Sequence, residues 1–158
     1  MGTEIERKFL VRNDDWRSAV TKSTDYRQGY LSTDADRNVR VRTKGAKAVL
    51  TIKGKARGAA GLTRAEFEVE LPYDDAEAIL DGLCHRPIIE KVRHRVEHDG
   101  LIWEIDEFAG DNAGLVVAEV ELDSEDQVFD RPAWLGEEVS DDPRYLNASL
   151  VEHPYSQW

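Results

Sequence analysis

Stretch after stretch of this chain alternates apolar and charged residues with a period of two, which is the signature of β-strands. One parity carries Glu4, Glu6 and Lys8, then Arg40 and Arg42, Lys53, then Glu66, Glu68 and Glu70, then Lys91, Arg93 and Arg95, then Glu104 and Asp106, and finally Glu119 and Glu121. The other parity is apolar, with Val39, Val41, Leu50, Ile52, Phe67, Val69, Trp103, Ile105 and Val120 among its members, and forms a surface that helices could cover. An open antiparallel sheet also shows one polar face to water. Here, however, the signs are segregated strand by strand, so neighbouring ladders would set like charges side by side, whereas solubility alone favours mixing them.

About eight such strands can close into a barrel whose interior holds side chains and one small ligand. If the charged parity faces inward, the lumen needs partners, because unpaired buried charge costs several kcal/mol per ion. A polyanion answers the bases and divalent cations answer the acids. Glutamates two apart on a strand stand roughly 6.5–7 Å apart at Cα, close enough to converge on one hard cation. All-oxygen ligation favours Mg²⁺ or Mn²⁺ over zinc.

The order of elements supports a mainly β chain with few helices. A strand over 3–11 precedes a short helix after Asn13, with Trp16, Ala19 and Val20. A strand over about 25–32 leads through a polar turn into RNVRVRT and AVLTIK. The stretch Gly54–Gly61 is expected to be a mobile connection before TRAEFEVEL. Asp74 and Asp75 open a helix with Ala76, Ile79, Leu80 and Leu83 at helical spacing. Three further strands form a meander, and the tail after Ser124 is irregular with a last helix around 145–151. At 158 residues one domain, 1–158, is expected.

A net charge of −11 removes the electrostatic footprint of a nucleic-acid or anionic-membrane binder. The lone Cys84 and the lack of any long apolar run point to a cytoplasmic protein. Cys84 next to His85 has no further ligand nearby and reads as packing, and His94 falls on the apolar parity. The loop Lys53-Gly54-Lys55-Ala56-Arg57-Gly58 lacks the spacing of a phosphate-binding loop. The pattern specifies no oligomeric state.

Glu4-Ile5-Glu6-Arg7-Lys8, followed by RQGYL at 27–31, Arg40-Val-Arg42, Thr51-Ile-Lys53, Arg64-Ala-Glu66-Phe-Glu68, Glu90-Lys91-Val-Arg93, Asp106-Glu-Phe-Ala-Gly110, Glu119-Val-Glu121 and WLGEEVSDDPRYLN, resembles the triphosphate tunnel metalloenzymes of the CYTH-type superfamily, in particular its short bacterial members. The resemblance spans nearly the whole chain. It implies a closed eight-stranded antiparallel tunnel with a charged interior, helices packed outside, and a linear triphosphate held inside. It further implies that Lys8, Arg40, Arg42, Lys53, Lys91 and Arg93 grip phosphoryl oxygens and that Glu4, Glu6, Glu119 and Glu121 hold Mg²⁺ or Mn²⁺. Glu4 or Glu6 would position or deprotonate the attacking water, with Lys8 and Lys91 assisting catalysis. Glu66, Glu68 and Asp106 would orient bases or a second cation, and Arg95 and Glu104 have no assigned part. The expected reaction is hydrolysis of inorganic tripolyphosphate to pyrophosphate and phosphate, chemistry that needs positioning and charge neutralisation above all. The alternatives are an adenylate cyclase, a hydrolase of thiamine or nucleoside triphosphates, and a polyphosphate-binding module without turnover.

Overall fold

The computed structural model describes residues 2–158. Eight strands form one sheet: β1 (Gly2–Val11), β2 (Val20–Ser32), β3 (Arg37–Lys44), β4 (Lys47–Gly54), β5 (Thr63–Leu71), β6 (Ile89–His98), β7 (Leu101–Phe108) and β8 (Val116–Glu121). They neighbour one another in the order β5-β4-β3-β2-β6-β7-β8-β1, and β1 returns to β5, which closes the barrel. Every pairing is antiparallel. The β6–β7 hairpin turns at Asp99-Gly100, both at positive φ (48° and 78°), as a two-residue turn matched to strand twist requires.

Several elements differ from the sequence expectation. β2 begins at Val20, five residues early, because Val20, Lys22 and Thr24 pair with Val96, Arg95 and Arg93 of β6. The short helix after Asn13 is a 3-10 turn over Asp15–Ala19, entered through a hydrogen bond from the Asp15 N–H to Asn13 Oδ1. A ninth strand, β9 (Leu135–Glu138), pairs with the end of β1. Its sequence, LGEE, lacks any alternation, so only a partner strand defines it. The connection expected to be mobile is tied down by Glu125, whose carboxylate accepts hydrogen bonds from the N–H groups of Ala60 and Leu62 and from the Thr63 hydroxyl.

The apolar parity faces outward, and its cover is uneven. Helix α1 (Tyr73–Gly82) lays Ala76 and Leu80 on Val41 of β3 and Ala48 of β4, while Leu83 falls just past its end and is exposed. Over β1, β7 and β8 the cover is the 3-10 turn and the tail: Trp16, Trp134 and Leu135 join Phe9, Trp103, Ile105 and Val120. Arg7, the one charged residue that β1 contributes to that face, forms a forked ion pair with Glu138 of β9, which explains its place among apolar neighbours. Ile52, Phe67 and Val69 have no such cover and remain exposed.

Helix α2 (Asn147–Glu152) takes a different position. Its Leu150 and Val151 pack with Tyr30, Ile89, Phe108 and Val117, residues that share parity with the ionic rows. At this end the lumen is therefore apolar and stoppered by α2. No helix of the described residues is long and apolar enough to cross a membrane.

Candidate active site

Above the stopper the lumen opens into a cavity of about 330 Å³. Glu4, Glu6, Lys8, Arg40, Arg42, Lys53, Lys91, Arg93, Glu119 and Glu121 all line it, contributed by five strands whose charged parity turns inward when the sheet closes. Glu66, Glu68 and Glu104 line it too. Arg95 does not. It is nearly half exposed and pairs with Glu97. Glu70 stands farther out in a shallow mouth with Lys22, Lys44 and Lys47.

One wall is basic and is organised from behind by Asp106. This carboxylate is 0% exposed and accepts from Lys91 Nζ at 2.7 Å and from Arg93 Nε and Nη2 at 2.7 and 2.8 Å. Burial opposes its ionisation, but the two cations win and hold its pKa well below the usual carboxylate range. Burial, then Arg93 and Arg42, push Lys91 down to about 7 despite Asp106. Burial, with Arg40 and Arg93, pushes Arg42 to about 10. Crowded cations in low dielectric are thus poised for an anion. Tyr26 presents its ring to three of them, 4.8 Å from Arg42, 5.0 Å from Arg93 and 5.9 Å from Lys91, and so softens their repulsion.

The opposite wall is acidic. Ladder register sets Glu6 directly across from Glu121 and Glu104 across from Glu119, arrangements that repel unless a cation intervenes. Burial, then the charges of Glu4 and Glu6, raise the Glu121 carboxyl above its ordinary value. Burial raises Glu4 as well, against the pull of Lys53. Lys8, facing Glu119 across the ladder, lies 3.7 Å from it, and Glu119 with Glu6 outweighs burial to raise the lysine's pKa.

These carboxylates fit a hard divalent cation by chemistry. They are all oxygen donors, two of them opposed at one register, and Glu4 Oε1 is a buried oxygen without a hydrogen bond. Lys53 Nζ is only 2.6 Å from that oxygen but approaches too obliquely to satisfy it. No three of the acids among the described residues are drawn together as a finished ligand set. Glu4 is turned to Lys53, and Glu119 to Lys8 and Arg93.

Comparison with known proteins completes the picture. The family model of the CYTH domain matches residues 2–155. The chain belongs to the CYTH domain family. An inorganic triphosphatase of Acetivibrio thermocellus is 48% identical to this CYTH chain over 158 residues, 100% of this chain and 99% of that protein. An inorganic triphosphatase of Nitrosomonas europaea is 38% identical over 153 residues, covering 94% of this chain and 97% of its own. A solved crystal structure of an inorganic triphosphatase superposes with a TM-score of 0.68 at 36% identity, over 96% of this chain and 95% of that one. A Pyrococcus horikoshii protein, 18% identical with a TM-score of 0.60 over 78% of this chain, shares the fold.

Residue alternation alone did not reveal four members of this CYTH cavity and its support. Gln28, fully buried, accepts from Arg42 Nε at 2.8 Å and donates to Asn147 Oδ1 at 2.8 Å. Asn147, at the start of α2, also accepts from Lys91 Nζ at 2.8 Å. Thr51 stands between Arg40 and Glu68, at 3.4 and 3.2 Å. Tyr26 completes the set. Neutral polar residues carry no charge pattern. The one signal available was parity, since Tyr26, Gln28 and Thr51 share the inward phase of their strands, whereas Asn147 is brought in by the tertiary fold.

Proposed function

We propose that this CYTH chain hydrolyses inorganic triphosphate to pyrophosphate and phosphate with a divalent cation, Mg²⁺ or Mn²⁺. The observation that carries the proposal is a closed cavity with a basic wall facing an acidic wall, in a chain 48% identical over its full length to an inorganic triphosphatase. A linear polyanion supplies what the basic wall lacks. Hard cations supply what the acidic wall lacks.

In this mechanism Arg40, Arg42, Lys53 and Arg93 bind and straighten the phosphate chain, and Lys8 and Lys91 neutralise charge that builds on the leaving phosphoryl oxygens. Asp106 and Asn147 hold Lys91 in place, and Gln28 holds Arg42. Glu4, Glu6, Glu119 and Glu121 would hold the metal, which when bound polarises the phosphoryl group and its nucleophile. Glu4 or Glu6 orients the attacking water and accepts its proton. The raised basicity that burial gives Glu4 suits that task. The stopper formed by α2 keeps bulk water from one end of the lumen. The lining offers no large apolar slot for a base or a thiazole ring, which favours the inorganic substrate. A cytoplasmic site of action and a single CYTH unit over 1–158 belong to the same proposal.

The test is phosphate release from tripolyphosphate, ATP, thiamine triphosphate and pyrophosphate, with Mg²⁺, Mn²⁺ or chelator, and chromatography for cyclic AMP. We expect the highest kcat/KM on tripolyphosphate, dependence on metal, and no cyclic AMP. A higher kcat/KM on an organic triphosphate refutes the substrate assignment, and undiminished turnover in chelator refutes the metal's part.

A further inference from the structure

The bases of the cavity fall into two groups. Arg40 and Arg42 form no ion pair among the described residues. Arg40 reaches only Thr51 and leaves its Nε unpartnered, and Arg42 reaches Gln28. Lys53 is different. On the β4–β5 ladder it faces Glu66, yet its Nζ stops 3.7 Å from Glu66 and goes on to Glu4 of β1, at 2.6 Å. Both Lys53 and Glu4 have side chains only 12% exposed. An ammonium so placed is engaged twice over: it cannot reach a phosphate while it covers Glu4, and Glu4 Oε1 cannot meet a metal while Lys53 covers it. Meanwhile Glu6 and Glu121, opposed at the neighbouring register, form no ion pair among the described residues and stand ready for a cation.

The geometry points to Lys53 as an internal counter-cation on Glu4, one that a divalent metal displaces and that then turns to the phosphate chain, so that metal and triphosphate reinforce each other's binding. This rests on the metal-dependent triphosphate function proposed above. A divalent cation carries twice the charge of the ammonium and can use Glu4 together with Glu6 and Glu121, so the exchange favours the metal. An incoming polyanion pulls from the other side by drawing Lys53 off Glu4. Each ligand therefore removes an obstacle to the other, and linkage makes that coupling reciprocal.

The experiment titrates Mn²⁺ alone into the full chain by calorimetry, without any phosphate, for wild type, Lys53→Gln and Lys44→Gln. Lys44 lines the same cavity but lies 4.0 Å from Glu68 and touches no part of Glu4, so it measures the general effect of losing one positive charge. Lys53→Gln is expected to bind Mn²⁺ at least about fivefold more tightly than wild type, with Lys44→Gln changing by less than about twofold. In chelator, triphosphate affinity should differ between wild type and Lys53→Gln by no more than about twofold, while at saturating Mn²⁺ the KM of the variant rises at least about tenfold. Lys53→Met, which keeps the apolar stem, should give the same signs and guards against a folding defect. Unchanged or weaker Mn²⁺ binding by both Lys53 variants, an equal gain in Lys44→Gln, or an equal loss of triphosphate affinity with and without metal overturns the exchange. If wild type neither binds Mn²⁺ nor releases phosphate, the proposed function falls and takes the exchange with it. If wild type does both and the Lys53 variants bind Mn²⁺ as wild type does, only the exchange falls.

Discussion

Asp106→Asn tests whether one hidden carboxylate organises the basic wall. The substitution keeps size and one acceptor oxygen but removes the only full negative charge that pairs with Lys91 among the described residues, at a position of 0% exposure. Three charge-assisted hydrogen bonds of 2.7–2.8 Å converge on Asp106. Breaking one partner of a buried ionic cluster costs about 3–5 kcal/mol, because the remaining charges lose their compensation. Lys91 can limit the damage by shedding its proton, since its pKa already lies at about 7. The loss should therefore be near 3 kcal/mol at pH 8.5 and larger at pH 6, where holding Lys91 neutral costs more. Urea denaturation followed by tryptophan fluorescence and circular dichroism at both pH values measures it. Adding Lys91→Met to Asp106→Asn should recover at least about 1 kcal/mol, as the two residues form one cluster. A loss below about 1 kcal/mol, or one that is the same at both pH values with no recovery in the double variant, would refute the claim that Asp106 holds this wall together.

Three further outcomes are expected. For Lys91, whose folded pKa is depressed, the unfolded chain binds the extra proton between about pH 7 and 10, so its contribution makes stability rise with pH across that window; a triphosphate in the cavity favours the charged form, so binding takes up a proton near pH 8, which calorimetry in two buffers of different ionisation heat detects and Lys91→Arg reduces. Glu121→Gln relieves the opposition to Glu6 and should stabilise the metal-free protein by roughly 0.5–1 kcal/mol in thermal melts, while raising the metal concentration for half-maximal activity about tenfold or more. Arg7→Met cuts the link between β1 and β9 on the outer face and should cost about 1–2 kcal/mol in urea, with kcat on tripolyphosphate unchanged within about twofold.

Alternation made most of the barrel legible in the sequence: each charged row from Glu4 to Glu121 announced both a strand and the face it would share. Its blind spots were equally physical. β9 has no period of its own, Val20–Thr24 is strand only because β6 lies alongside, and the helical spacing of Ala76, Ile79 and Leu80 did not reveal that Leu83 would fall outside the helix. Like charges do face each other where Glu104 opposes Glu119 and Glu6 opposes Glu121, but Lys8 of β1 faces Glu119, and the basic row of β6 lies beside acidic β7, where Asp106 neutralises much of it.

By itself the sequence determined which side chains would share a face, because a strand's period of two is a local property of the backbone. It fixed the charge of each row and, through the motifs, the kinship with triphosphate tunnel enzymes. Only the tertiary structure decided which rows would oppose each other, that Lys53 would settle on Glu4 rather than on Glu66, and that Asn147 of α2 would reach Lys91. Those contacts join residues far apart in the chain, and their partners are chosen by barrel closure and ladder register, which no local period encodes.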